Sequence, residues 1–216
     1  MLLKILFALV FGYIFGCFST GYFIGKLYKV DIRKYGSGNV GMTNALRTLG
    51  AKAGALTLLG DLLKAVIPML LVKYLIFRDA DNIDLLSVYT GLGVVLGHNF
   101  PVWLKFKGGK GIAATSGVLI AFDPWIVPVG LPFFILIVAV TKYVSLGSLF
   151  IATLFPVWIL IRHPGDIHML LVSLVFMLLA FIRHRSNIKR IIEGTENKLG
   201  QRVKIDNTTD NTDNNK

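Results

Sequence analysis

The chain has 216 residues, of which 54% are apolar and only 16% charged, where a soluble domain carries about 25% charged residues. That balance excludes an ordinary water-facing globule, and the net charge of +11 has to be located along the chain before it is assigned to a partner. A single cysteine, Cys17, lies within an apolar run, which excludes an intramolecular disulfide and a thiolate metal site.

In chain order, the first segment carries one lysine and then an apolar stretch that continues past Cys17 through "FSTGYFIG". It is read as a retained transmembrane helix, not a cleaved leader. Apolar segments recur at 2–25, 53–77, 85–103, 111–122, 124–141, 144–161 and 167–182, most of them near the roughly 20 residues that cross a bilayer. Segment 111–122 is short, either a thin or tilted crossing or a re-entrant stretch bounded by Asp123-Pro124. The expected fold is all-α: an integral membrane protein with about seven transmembrane helices, forming one polytopic domain over 1–205. Residues 206–216, "DNTTDNTDNNK", form a polar tail expected to be disordered.

Charge fixes the expected orientation. Loop 26–52 holds Lys26, Lys29, Arg33, Lys34, Arg47 and Lys52 against Asp31 alone. Loop 104–110 holds Lys105, Lys107 and Lys110, Lys142 stands in its own turn, and the stretch from Arg183 to Lys204 is again basic. The alternate connections, "RDADNID", "FDPW" and "RHPGDIH", are acidic or balanced. Thus 17 of the 23 basic residues fall on one side. The positive-inside rule makes that side the cytoplasm, with the N-terminus outside and the C-terminus cytoplasmic. The net charge then serves topology and anionic headgroups, and no nucleic-acid partner is expected.

Three polar clusters exceed what topology requires, and all fall on the expected cytoplasmic face. "GSGNVGMTNALRTLG" offers free backbone N–H groups with Ser37, Asn39, Thr43 and Asn44 as side-chain donors, and Arg47 can grip a phosphate with two bonds. In "HNFPVWLKFKGGKG", glycines and lysines lead into a helix N-terminus, a suitable phosphate site, with His98 just before it. In "RHRSNIKRIIEGTENKLG", His184 and Asn187 share a helix face and Glu196 sits in a turn among basic residues, while Arg183 and its neighbours are accounted for by anchoring. Within the bilayer, Asp61 and Lys64 stand one turn apart in "LGDLLKA", an expected inward-facing ion pair. No HExxH, GxSxG or Cys/His metal set is present, so no metal and no cofactor is expected. These residues alone describe a membrane enzyme or binder acting on small phosphorylated substrates. A transporter would spread polarity through its midplane, and a scaffold binding a phosphorylated partner would not need His184 with Asn187.

The motifs "SGNVGMTNALRTLG", "GHNFPVWLKFKGGKG" and "HRSNIKRIIEGTENKLG", with "LGDLLKA", resemble in order and spacing the PlsY family of bacterial acyl-phosphate:glycerol-3-phosphate acyltransferases, from about Lys26 to Gly200. Met42 and Ala114 depart from that pattern, and neither removes a charged or amide group. The resemblance implies acyl transfer from acyl phosphate to the 1-hydroxyl of glycerol 3-phosphate, without metal or acyl-CoA. It also implies a multi-pass protein of the bacterial cytoplasmic membrane, whose partners are those two substrates, membrane lipids and the enzyme that makes the acyl phosphate. It implies catalytic roles for Ser37, Lys110, His184 and Asn187, and substrate binding by Arg47, Gly108 and Gly109, which Asn39, His98 and Lys107 are expected to join. Glu196, Asp61 and Lys64 are expected to be structural. The base that takes the hydroxyl proton is left between His184 and a phosphate oxygen of the donor.

Overall fold

In lipid every backbone N–H and C=O must be satisfied within the chain, so apolar runs of this kind close into helices. The computed structural model describes residues 1–202, and the expected tail at 206–216 lies outside the described residues. The helices are α1 (Leu2–Gly16), α2 (Thr20–Leu27), α3 (Met42–Leu49), α4 (Ala51–Leu71) and α5 (Ile83–Asn99). They continue with α6 (Ile112–Phe122), α7 (Val127–Thr141), α8 (Val144–Arg162), α9 (Ile167–Arg183) and α10 (Arg185–Ile192).

Among the described residues, 5 helical runs are long and apolar enough to cross a membrane, or 6 if α9 and α10, bent by 58°, count as one. The sequence expectation counts one more because the 11-residue α6 is too short to span the bilayer by length alone. Exposed side chains such as Leu131, Phe133, Leu136 and Val140 on α7 give the bundle the apolar outer surface that lipid requires.

Helices in a bilayer gain little from burying apolar side chains, so close backbone approach through small residues holds them together. α1 and α5 meet in this way. A Cβ at Gly12 would lie 2.0 Å from Thr90 O, and one at Gly97 would lie 2.3 Å from Tyr13 O. Gly16 and Gly93 are equally tight, at 2.1 Å from Val94 O and 2.2 Å from Leu9 O. Gly117 brings α6 against Leu62 of α4 on the same principle.

One polar knot sits inside this packing. Lys64 Nζ lies 2.9 Å from Asp61 Oδ1 and 2.7 Å from His98 Nδ1, and it donates to Phe18 O at 2.7 Å. Thr20 donates from its hydroxyl to the same Asp61 oxygen at 3.0 Å. The break between α1 and α2 leaves Phe18 C=O without a helical partner, and the lysine supplies one. Removing one charge would strand the other in a dry environment, at a cost of about 3–5 kcal/mol. The knot therefore fixes α2, α4 and the end of α5 relative to one another.

Candidate active site

The chain from Asp31 to Gly41 forms one short 3-10 turn, Ile32–Lys34, and side chains satisfy much of the remaining backbone. Asn44, 2% exposed, accepts from Ser37 N at 2.9 Å and donates to Ile32 O at 2.9 Å and Tyr35 O at 3.2 Å. Gly36 adopts φ +60° against it, where a Cβ would lie 2.4 Å from Asn44 Oδ1. Asn44, read from the sequence as a donor to substrate, is thus spent in shaping the loop that presents Ser37. Asn39 accepts from Gly41 N at 2.8 Å and so shapes the entry to α3.

The loop after α5 folds back on itself. Gly108 N donates to Asn99 O at 3.1 Å and Gly109 N donates to His98 O at 3.0 Å. A Cβ at Gly109 would lie 2.0 Å from His98 Nε2, so only glycine lets the imidazole lie against the main chain. Arg183 closes the other side, donating to Gly109 O at 3.1 Å and 2.9 Å and to Gly108 O at 3.0 Å, with its guanidinium 5.2 Å from the Phe100 ring centre. The N–H groups of Gly108 and Gly109 are therefore already engaged by the chain's own carbonyls. Free donors at this loop belong instead to the first turn of α6, whose N–H groups have no intrahelical partner, with Lys110 beside them.

The third cluster closes the site. Glu196 accepts from Ser145 at 3.0 Å, from Asn187 Nδ2 at 2.6 Å and from Arg190 Nε at 2.8 Å. Asn187 accepts from Lys110 Nζ through Oδ1, so one amide bridges the lysine to the carboxylate. Arg47 Nη2 donates to Asn197 O at 3.2 Å, and Leu199 N donates to Lys142 O at 2.8 Å. The four basic connections thus converge at one end of the bundle.

Burial and the surrounding guanidinium groups of Arg190, Arg47 and Arg183 push Lys110 down to about 8, against the pull of Glu196. Burial and the Lys110 charge push His184 down to about 4, so its ring is neutral at pH 7. Its Nδ1 lies 2.8 Å from Ala180 O, which places the proton there and leaves Nε2 as an acceptor. Burial alone would raise Glu196, but the hydrogen bonds from Asn187, Arg190 and Ser145 hold it below the usual carboxylate range.

These groups line a cavity of about 420 Å³. Ser37, Asn39, Arg47, Asp61, His98, Lys110, His184, Asn187 and Glu196 all border it, so most of the expected site residues are gathered in one place. Lys107, Gly108, Gly109 and Lys64 lie outside its lining. Beyond the polar end the walls are apolar, formed by α4, α6, α7 and α8 through residues such as Leu62, Leu119, Val127 and Ile151. Sequence reasoning missed two contributors. Ser145 was legible only as a hydroxyl at the start of an apolar run, and Arg183 has the composition of any interfacial anchor.

A protein-family model described as glycerol-3-phosphate acyltransferase matches residues 6–194. A glycerol-3-phosphate acyltransferase of Trichlorobacter lovleyi is 43% identical over 194 residues, covering 90% of this chain and 97% of that protein. One of Clostridioides difficile is 43% identical over 195 residues, covering 89% and 94%. Among solved structures, PlsY (YgiH), an integral membrane glycerol 3-phosphate acyltransferase in its glycerol 3-phosphate form, superposes with a TM-score of 0.82. It is 36% identical, with coverage of 91% of this chain and 96% of that one. Its lysophosphatidic acid form superposes with a TM-score of 0.80.

Proposed function

The chain belongs to the glycerol-3-phosphate acyltransferase family, and from that premise we propose that its acyl donor is an acyl phosphate. The 1-hydroxyl oxygen of glycerol 3-phosphate attacks the acyl carbonyl. The new ester C–O bond forms as the C–O bond to phosphate breaks, and the hydroxyl proton leaves with the phosphate. The products are 1-acyl-glycerol 3-phosphate and inorganic phosphate.

One observation carries this reading: a single cavity joins a cationic, amide-rich end to an apolar body. Two phosphates need opposing charge, and Arg190, Arg47 and Arg183 all stand close enough to Lys110 for their charges to act on it. The acyl chain needs an apolar wall, and α6, α7 and α8 offer one, with Ile120 and Leu131 exposed beside it as a side entrance from lipid. The relative solved with glycerol 3-phosphate and with lysophosphatidic acid supports the same pairing of a polar substrate and a lipid product.

An acyl phosphate is already activated, so holding two reactants together supplies much of the acceleration and no covalent intermediate is needed. In this reading the Ser37 hydroxyl, and the Asn187 amide N–H that Glu196 does not take, donate toward the oxygen that gains charge at the carbonyl. His184, at about 4, is a weaker base than a phosphate oxygen whose second pKa is about 6. The proton accordingly passes to the departing phosphate, while Nε2 of His184 orients the hydroxyl. The cationic end faces the cytoplasm of a bacterial inner membrane, where glycerol 3-phosphate arrives from water, and residues 1–205 act as one domain.

Purified protein supplied with acyl phosphate and glycerol 3-phosphate should release phosphate and form lysophosphatidate in equal amounts. Turnover with acyl-CoA in place of acyl phosphate would overturn the donor assignment.

A further inference from the structure

α6 is short, and both of its ends are pinned. At one end Lys110 joins Asn187, which is linked through Glu196 to Ser145 at the start of α8. At the other, Asp123 accepts from Trp125 N at 3.1 Å, from Trp158 Nε1 at 3.0 Å and from Arg162 Nε at 3.1 Å. The last two donors stand at the far end of α8. One carboxylate thus bolts the connection between α6 and α7 to its neighbour. The turn it holds, Pro124–Ile126, puts Ile126 only 3% exposed against the end of the cavity opposite Lys110. Between them, Ile112, Ser116 and Leu119 line the cavity along one face of α6, a rise of roughly 10 Å.

We propose that the Pro124–Ile126 turn is the floor of the acyl groove and sets the longest acyl chain the site accepts. This rests on the acyl-transfer reading above. A chain that reaches Ile126 covers the apolar wall completely. A longer one must crowd its last methylenes against a turn that Asp123 does not let move. Each methylene gained or lost from burial changes relative kcat/KM by up to about fourfold. Ile126 and Val127 determine chain-length specificity directly, and Asp123 is a positioning residue that acts through them.

The test compares kcat/KM for dodecanoyl, tetradecanoyl, hexadecanoyl and octadecanoyl phosphates in the purified full chain, each profile taken relative to the unsubstituted protein. Ile126→Ala deepens the groove and should raise the octadecanoyl-to-tetradecanoyl ratio about fourfold, the worth of one added methylene. Val127→Phe fills the same end and should lower that ratio by a similar factor. Asp123→Asn should flatten the profile with little loss of total rate. If Ile126→Ala does not fold, the other two decide the matter. Unchanged profiles at normal rates would overturn the floor, because the tails would then be leaving sideways into lipid. Absence of turnover with every acyl phosphate, in the unsubstituted protein as well, would instead remove the acyl-phosphate reading and the floor with it.

Discussion

Burial, with the guanidinium groups of Arg190, Arg47 and Arg183, leaves the Lys110 ammonium able to lose its proton near pH 8. Below that value the free site carries the charge, and above it the charge falls about tenfold per pH unit. Glycerol 3-phosphate has finished its own titration by about pH 7, since its second pKa is near 6. Its affinity, measured by calorimetry without the acyl donor, should therefore weaken about fivefold between pH 8 and 9. Lys110→Arg, always charged, should remove that limb. A wild-type profile as flat as that of the arginine variant would show that Lys110 does not titrate there. The residues Ser37, Arg47, Lys110, His184 and Asn187 were legible as polar groups that topology alone did not require. The use of Gly108 and Gly109 was not. Their occupied N–H groups follow from the fold-back onto His98 O and Asn99 O, a geometry that spacing does not encode.

Helix pairing explains a second part of the sequence. Gly12 and Gly16 on α1, and Gly93 and Gly97 on α5, are each four residues apart, the spacing that keeps both on one helix face. The pattern was present in the sequence, but small residues in apolar runs are common, and nothing local says which two helices share a face. At Gly97 an added Cβ would meet the Tyr13 carbonyl at 2.3 Å, and backbone cannot swing aside as a side chain can. Gly97→Ala should therefore sit at or beyond the upper end of the about 1–3 kcal/mol that overpacking usually costs. Gly130→Ala is the control, because its Cβ would meet only flexible side-chain ends, Leu154 Cδ2 at 3.0 Å and Ile151 Cδ1 at 3.4 Å. Thermal unfolding in detergent should show a clear fall for the first and a small one for the second. Equal midpoints would mean that α1 and α5 are not held at this distance.

At the scale of the whole molecule, the decisive element is α6, whose 11 residues rise only about 16 Å against a hydrocarbon core of about 30 Å. Length alone left it open whether this segment crosses or turns back. The ion pair at its end, Asp123 with Arg162, lies at the far end of α8, while Lys110 at its start is linked to Ser145 at the near end. Ser145 and Arg162 are separated by about 25 Å of helix, so the segment with its flanking turns travels the length of the bundle. It can be short because its Gly117 face is buried against α4, leaving less of it to match the lipid. With positive charge inside, single cysteines placed in a Cys17→Ser background should report that path. Asp81→Cys and Trp125→Cys, both at exposed positions, should react with a membrane-impermeant maleimide in intact cells. Lys105→Cys, equally exposed, should react only after the cells are opened. Labelling of Trp125→Cys together with Lys105→Cys would make α6 a re-entrant hairpin, and reversal of all three would invert the protein in its membrane.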